Sequence, residues 1–274
     1  MLKDYFGQAD YIEGIGEIYP IKITEYQEFQ ELAQRYIAID KRALEIELKE
    51  KLDMSTLMLV LSQIKAYEIA NNDDYLALMN PDDLEQYQRL KEAEYKLNID
   101  DFIKVLKMVL HKDVIYDEEN VKFKIQDKNV LLDREINESN FDDFKNIVMR
   151  QNLLFTPLYY EDPILQSILM SLRENKSQED GSQFDLETIC QVVSNEKKIP
   201  QYELENFTYY MIIADYTRLS VIDNHDLGKQ IQSSGFANEG FKIPRRDEII
   251  NLYKHPESTM IEFNSEVYDK GDKL

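Results

Sequence analysis

Apolar residues recur at three- and four-residue steps along most of this 274-residue chain. That spacing predicts a mainly α, helical, multi-part protein with small β-hairpins. Near the start the period shortens. Ile18 to Ile23 alternates loosely after Gly14-Ile15-Gly16, which predicts a short hairpin closing at those glycines, with Pro20 keeping its second strand at an edge. Thr24 is placed to cap a helix in which Tyr26, Phe29, Leu32, Ala33, Tyr36 and Ile37 share one face. Past a charged stretch from Asp40 to Lys51, Asp53 is placed to cap a helix whose run Leu57 to Leu61 is unbroken apolar, the mark of burial nearly all round. Asn80-Pro81-Asp82-Asp83 opens another helix, since proline is tolerated in the first turn and acids suit the positive N-terminus. Asn98 caps the cleanest helix, with Ile99, Phe102, Ile103, Leu106, Val109 and Leu110 as its stripe.

Val121 to Gln126 and Val130 to Asp133 flank Asp127-Lys128-Asn129 and read as a hairpin with a three-residue loop. A helix from Ser139 or Asn140 carries Phe141, Phe144 and Val148 inward. Asp162 caps and Pro163 opens a helix to Glu174, Asn175 to Ser182 reads as a mobile polar loop, and Asp185 to Asn195 as a short helix. Glu203 to Ile222 is the richest apolar run and the expected central helix of this half. Gly228, Gly235 and Gly240 then mark a loop before a short helix from Asp247 to Tyr253, and His255 to Leu274 reads as an extended, partly apolar segment that docks on a sheet edge. The expected parts are a hairpin-plus-helical region at 1–112, a hairpin and helix at 113–155, and a helical region with an extended tail at 156–274.

Composition narrows the class. With 43% hydrophobic residues the chain can bury a substantial core, and no apolar run approaches the ~20 residues that span a bilayer. Met1 to Lys22 lacks the basic start, apolar middle and small-residue cleavage site of a signal peptide, so the expected location is the cytosol, as the single Cys190 also suggests. The formal charge is -21, and the acid is spread out: residues 1–100 carry 11 Lys+Arg against 21 Asp+Glu. A surface of this sign repels phosphates and anionic lipid, so nucleic acid and membrane are not expected partners and basic proteins are. Solubility alone is the competing explanation of the charge.

Catalytic patterns are missing from the sequence. His111, His225 and His255 lie far apart, and Gly14-Ile15-Gly16 precedes a strand where a dinucleotide loop needs a helix start. The carboxylate groups Asp73-Asp74, Asp82-Asp83, Asp100-Asp101, Asp117-Glu118-Glu119 and Asp142-Asp143 mostly sit at helix starts, where they complement the dipole. No catalytic residue, metal or cofactor is assigned, and the expected activity is not enzymatic. Tyrosine, with 18 copies, suits helix boundaries and protein interfaces, so Tyr26, Phe29, Leu32, Tyr36, Tyr159 and Tyr160 are the candidate partner-binding residues.

Three stretches carry a resemblance: YIEGIGEIYPIKITEYQEF from Tyr11 to Phe29, REINESNFDDFKNIVMRQNLLF from Arg134 to Phe155, and ELENFTYYMIIADYTRL from Glu203 to Leu219. They resemble segments of bacteriophage tail-assembly proteins from low-GC Gram-positive hosts. What the resemblance implies is a tail-assembly chaperone in the host cytoplasm, helical, acidic and without an active site. Its partners would be the tape-measure protein, held soluble, and the tail-tube subunits that displace the chaperone. A permanent structural protein of a virion tail or baseplate is the alternative, and an acidic DNA-mimic inhibitor a further one. Homo-oligomerisation stays open.

Overall fold

The computed structural model describes residues 2–48, 51–76, 87–88, 90–92, 96–127, 133–160, 162–178, 185–235 and 242–255. These residues are mostly helical and include two small antiparallel sheets, so the protein is mainly α with small β-hairpins. Contacts divide the chain into two compact units. Gln8–Ile21 and Glu25–Tyr159 form the sheet unit; Met1–Gly7, Lys22–Thr24 and Tyr160–Leu274 form the long-helix unit. The sheet unit spans the expected 112/113 boundary, because Phe102 on one side of it packs against Phe123 and Phe141 on the other.

The sheet unit opens with β1 (Asp10–Ile12) and β2 (Gly16–Ile18), an antiparallel hairpin in which Asp10 faces Ile18 and Ile12 faces Gly16. Pro20 lies beyond the strand. The following helix α2 (Tyr26–Tyr36) is not capped by Thr24. A 3-10 turn at Ile23–Glu25 precedes it, and Glu25 stands at the cap without a side-chain bond. The charged stretch forms helix α3 (Lys41–Leu48). Ser55 rather than Asp53 caps α4 (Thr56–Ala70), its hydroxyl accepting the Met58 N–H at 3.2 Å; Leu57, Leu59, Val60 and Ile64 are buried. After the short α5 (Asp73–Leu76), the chain around Asn80 to Asp83 lies outside the described residues.

Helix α6 (Ile99–Leu110) has its expected cap and most of its expected stripe, with Ile99 and Ile103 half-buried and Val105 buried in addition. Asn98 Oδ1 accepts the Asp101 N–H at 2.8 Å, and Phe102, Val105, Leu106, Val109 and Leu110 are buried. His111 ends it in the left-handed conformation, φ 52°. Three strands follow: β3 (Asp113–Asp117), β4 (Lys122–Gln126) and β5 (Arg134–Ile136), in the order β3-β4-β5. β3 was not expected. Its Val114-Ile115-Tyr116 is consecutively apolar and hides the period-2 alternation, with Val114 buried and Ile115 outside. The partner of β4 on its other side is Arg134–Ile136, and Val130 to Leu132 of the expected strand lie outside the described residues. Helix α7 (Phe141–Gln151) buries Phe141, Phe144 and Val148, as expected. Phe102 is the hub of this core. It stacks on Tyr36 at 5.3 Å and meets Phe123 and Phe141 edge-on at 4.9 and 6.1 Å.

In the long-helix unit, α1 (Leu2–Tyr5) packs on α10 (Tyr209–Ser233), with α8 (Pro163–Gln178) and α9 (Leu186–Lys197) between them in sequence. Asp162 Oδ1 accepts the Ile164 N–H at the start of α8. That helix runs on through Asn175 to Gln178, where a loop was expected, because no Gly or Pro interrupts it before Gly181. Asp185 caps α9 through the N–H groups of Glu187 and Thr188. Glu203 to Asn206 belongs to a 3-10 segment (Gln201–Asn206), not to the long helix, which starts after its Thr208 cap. Ile189, Val193, Leu204 and Ile212 form the core, with Ile23 and Phe207 packed against it.

Gly228 is inside α10, not in a loop. A Cβ there would meet Ile243 Cγ2 at 3.1 Å, so the glycine lets the returning segment lie against the helix. Pro244 O sits 2.7 Å from His225 Nδ1, and Arg218 donates to Arg246 O at 3.2 Å. His225 is accordingly mid-helix, past Ile222, where the long helix was expected to end. Asp247 to Tyr253 is not helical: Asp247 takes both bonds of Arg245, and Asn251 Oδ1 accepts the Tyr253 N–H, local bonds that compete with a helix. Pro256 to Leu274, nearly all of the expected extended tail, lie outside the described residues.

Candidate functional site

Four of the six sequence-predicted interface residues lie on α2, and three of them are core. Tyr26, Phe29 and Tyr36 are at most 2% exposed, and Leu32 is half-buried. The Tyr36 hydroxyl accepts the Asn98 N–H at 3.0 Å, and burial pushes its pKa up. Their face is used inside the unit. Tyr159 and Tyr160 are half-buried, and the Tyr160 N–H donates to Gln166 Oε1 at 2.9 Å.

Groups with possible chemistry are mostly spoken for. His111 stacks on Tyr19 with ring centres 4.4 Å apart, and Tyr19 donates to Glu17 at 2.5 Å. Burial raises the Cys190 pKa, which keeps the thiol protonated. Lys145 donates to Ile39 O, and burial pulls its pKa down. The pairs Asp73-Asp74, Asp100-Asp101 and Asp142-Asp143 occupy first helical turns, and Asp82-Asp83 lies outside the described residues. Among the described residues no three His, Cys, Asp or Glu side chains gather as metal ligands.

The surface with the most to offer is the three-stranded sheet of the sheet unit. Its inner face carries Val114, Phe123, Ile125 and Ile136 against the helices. The outer face is a ladder of charge around Ile115, which is 49% exposed. Lys124 pairs with Asp117 at 2.7 Å and Lys122 with Glu135 at 2.6 Å. Asp127 bridges Lys112 at 3.1 Å and Arg134 at 3.3 Å. The hydrogen bond from Lys124, seconded by Asn120, holds the Asp117 carboxyl down at about 2, and Lys122 and Asn137 lower that of Glu135. A concavity of about 800 Å³ lies over this face, lined by Ile115, Lys122, Lys124, Asp133 and Glu135 among others. A smaller one of about 170 Å³ lies beside the end of β3, with Leu61, Ile64, Ile99 and Tyr116 as its apolar lining and Lys65, Glu68 and Glu118 completing it.

The two edges of the sheet differ. Glu135 of β5 donates its N–H to Gly14 O at 2.9 Å, so the N-terminal hairpin occupies that edge. Among the described residues, the backbone of Asp113 to Asp117 bonds only to β4. Sequence reasoning missed this strand. The signal was DVIYDEE, a β-branched and aromatic triplet framed by acids, at a place where helical spacing gives out. No family model, no curated protein and no solved structure matches the chain.

Proposed function

We propose that the chain is a non-enzymatic protein-binding factor of phage tail morphogenesis, a chaperone in the host cytoplasm that holds the tape-measure protein until tail-tube subunits displace it. One observation supports this reading above the others: the three stretches that carry the resemblance are structural partners. Within the sheet unit, Ile21 N–H donates to Asn152 Oδ1 at 2.9 Å, Tyr26 donates to Asn152 O, and Gln151 donates to Ile18 O, which joins the first stretch to the second. Within the long-helix unit, Lys22 bridges Thr208 and the Ile23 N–H donates to Phe207 O at 2.8 Å, which joins the first to the third. The likeness thus falls on residues that bond the first stretch to the second within one unit and to the third within the other, which a shared fold would retain. The net charge of -21 adds an attraction for basic protein segments and a repulsion for nucleic acid.

Affinity capture of the tagged chain, expressed together with its genomic neighbours, tests this at low and high salt. A long helical tape-measure protein should be recovered, with slower association at high salt but a retained apolar contact. Recovery of nucleic acid instead of protein would sink the reading. Mass spectrometry of purified particles separates a chaperone, which is lost, from a tail or baseplate component, which stays.

A further inference from the structure

The turn from Leu2 to Gly7 has its polar side inward. Asp4 is fully buried, with the Tyr253 hydroxyl donating to it at 2.7 Å, and a Cβ at Gly7 would stand 3.2 Å from Thr208 Cγ2 and 3.4 Å from Met211 Sδ. The apolar residues are on the outside. Leu2, Tyr5 and Phe6 are 75%, 42% and 60% exposed, and the rings of Tyr5 and Phe6 meet edge-on at 5.3 Å. Backbone bonds fix them as one patch: the Phe6 N–H donates to Leu2 O at 3.1 Å and the Gly7 N–H to Asp4 O at 3.1 Å. A lone exposed leucine is ordinary, but three large apolar side chains on a single turn mark a surface that something covers.

We propose that this patch is the docking site of the chain's own C-terminal segment, Met260 to Tyr268. Reach points to that segment. The described residues end at His255, two positions after Tyr253, whose hydroxyl is bonded to the inner side of α1. The outer side of α1 is one helix diameter further, about 10–12 Å. The step from Tyr253 to Met260 can span up to ~24 Å, which is ample. Composition points the same way: Met260, Ile261, Phe263, Val267 and Tyr268 bring five large apolar side chains in nine residues. The contact is one of apolar surfaces, and the tether favours it over rivals. A segment linked this closely is present at an effective concentration of about millimolar, above that of a second copy or a partner protein in dilute solution. Docked there, it shields Leu2, Tyr5 and Phe6 from other apolar surfaces, and a protein that takes the patch must first displace it.

The probe is p-benzoylphenylalanine placed at Phe6 of the full chain and irradiated, both in purified protein and in the cells that express it. Mass spectrometry should find a cross-link to Met260–Tyr268 of the same chain, in a product of monomer mass. Ile261→Asp together with Phe263→Asp should cut its yield at least about fivefold, because charge is then carried onto an apolar surface. Glu262→Gln together with Glu266→Gln should leave the yield unchanged, and so should high salt. In the chain without the probe, the double Asp variant should speed exchange of the Phe6 and Gly7 amides about tenfold. A product of dimer mass gives the patch to a second copy, and a product with another protein in place of the intrachain one gives it to a partner; either overturns the proposal. So do the absence of a cross-link, cross-links confined to α10, an equal yield from the double Asp variant, a yield lost in salt or in the Gln variant, and unchanged exchange at both amides.

Discussion

Asn152 shows how one side chain can hold a fold together. It is fully buried at the end of α7, where its Oδ1 accepts the Ile21 N–H and its Nδ2 donates to Val148 O at 2.8 Å. Removing it strands the buried Ile21 N–H, while Val148 O keeps the Asn152 backbone N–H at 3.2 Å. Asn152→Ala should therefore lower unfolding free energy by about 1–3 kcal/mol, read by urea denaturation; a change near zero would mean water replaces the amide without loss. Asp117 works through charge. Its folded pKa, about 2, lies below the ordinary aspartate value of 3.8, so its contribution to stability is present above 3.8 and is lost as pH falls towards 2. Lys124→Ala should raise the Asp117 carboxyl midpoint in an NMR titration and flatten stability over that acid window. An unshifted midpoint would show that Asn120 alone holds the carboxylate down.

At the scale of elements, α2 is a core helix. Its stripe of Tyr26, Phe29, Ala33 and Tyr36 is buried, so Phe29→Ala should cost about 3–5 kcal/mol through lost packing and a residual cavity, with thermal unfolding as the readout. An unchanged melting temperature with a lost partner would instead assign that face to binding. The periodicity was legible here because an amphipathic helix writes its buried face at fixed spacing. Where it reached its limits is equally physical. Thr24 fails as a cap because Ile23 is drawn into a backbone bond with Phe207, a residue 184 positions away in the chain. Gly228 fails as a breaker because the cost of glycine in a helix, about 1 kcal/mol, is offset by the close approach of Ile243.

The chain divides into two compact units and passes between them more than once: Met1–Gly7, Lys22–Thr24 and Tyr160–Leu274 belong to one, Gln8–Ile21 and Glu25–Tyr159 to the other. The N-terminal residues therefore belong with a helix two hundred positions later. Asp4 is fully buried and accepts the Tyr253 hydroxyl at 2.7 Å; burial, followed by the bonds to Tyr210 and Asp4, raises the Tyr253 pKa, and Gly7 lies against Thr208 and Met211. Deleting residues 1–7 should speed hydrogen exchange in α10 and around Tyr253 while leaving α6 and β4 as they were. Exchange that rises equally in α6 would show that the two units open together. Among the described residues no helix is long and apolar enough to cross a membrane.

The sequence by itself determined the helical class, the caps at Asn98 and Asp162, the apolar stripe of α2 and the inward face of α7, because each depends on residues within one or two turns of one another. The tertiary structure decided what depends on distant neighbours. It turned the α2 face from candidate interface to core by setting Tyr36 on Phe102, and it made a strand of Asp113 to Asp117 by supplying β4 as partner. It left that strand an open edge by spending Gly14 on β5 instead. A strand is completed only by what pairs with it, so no local pattern in DVIYD could say which of its sides would be free.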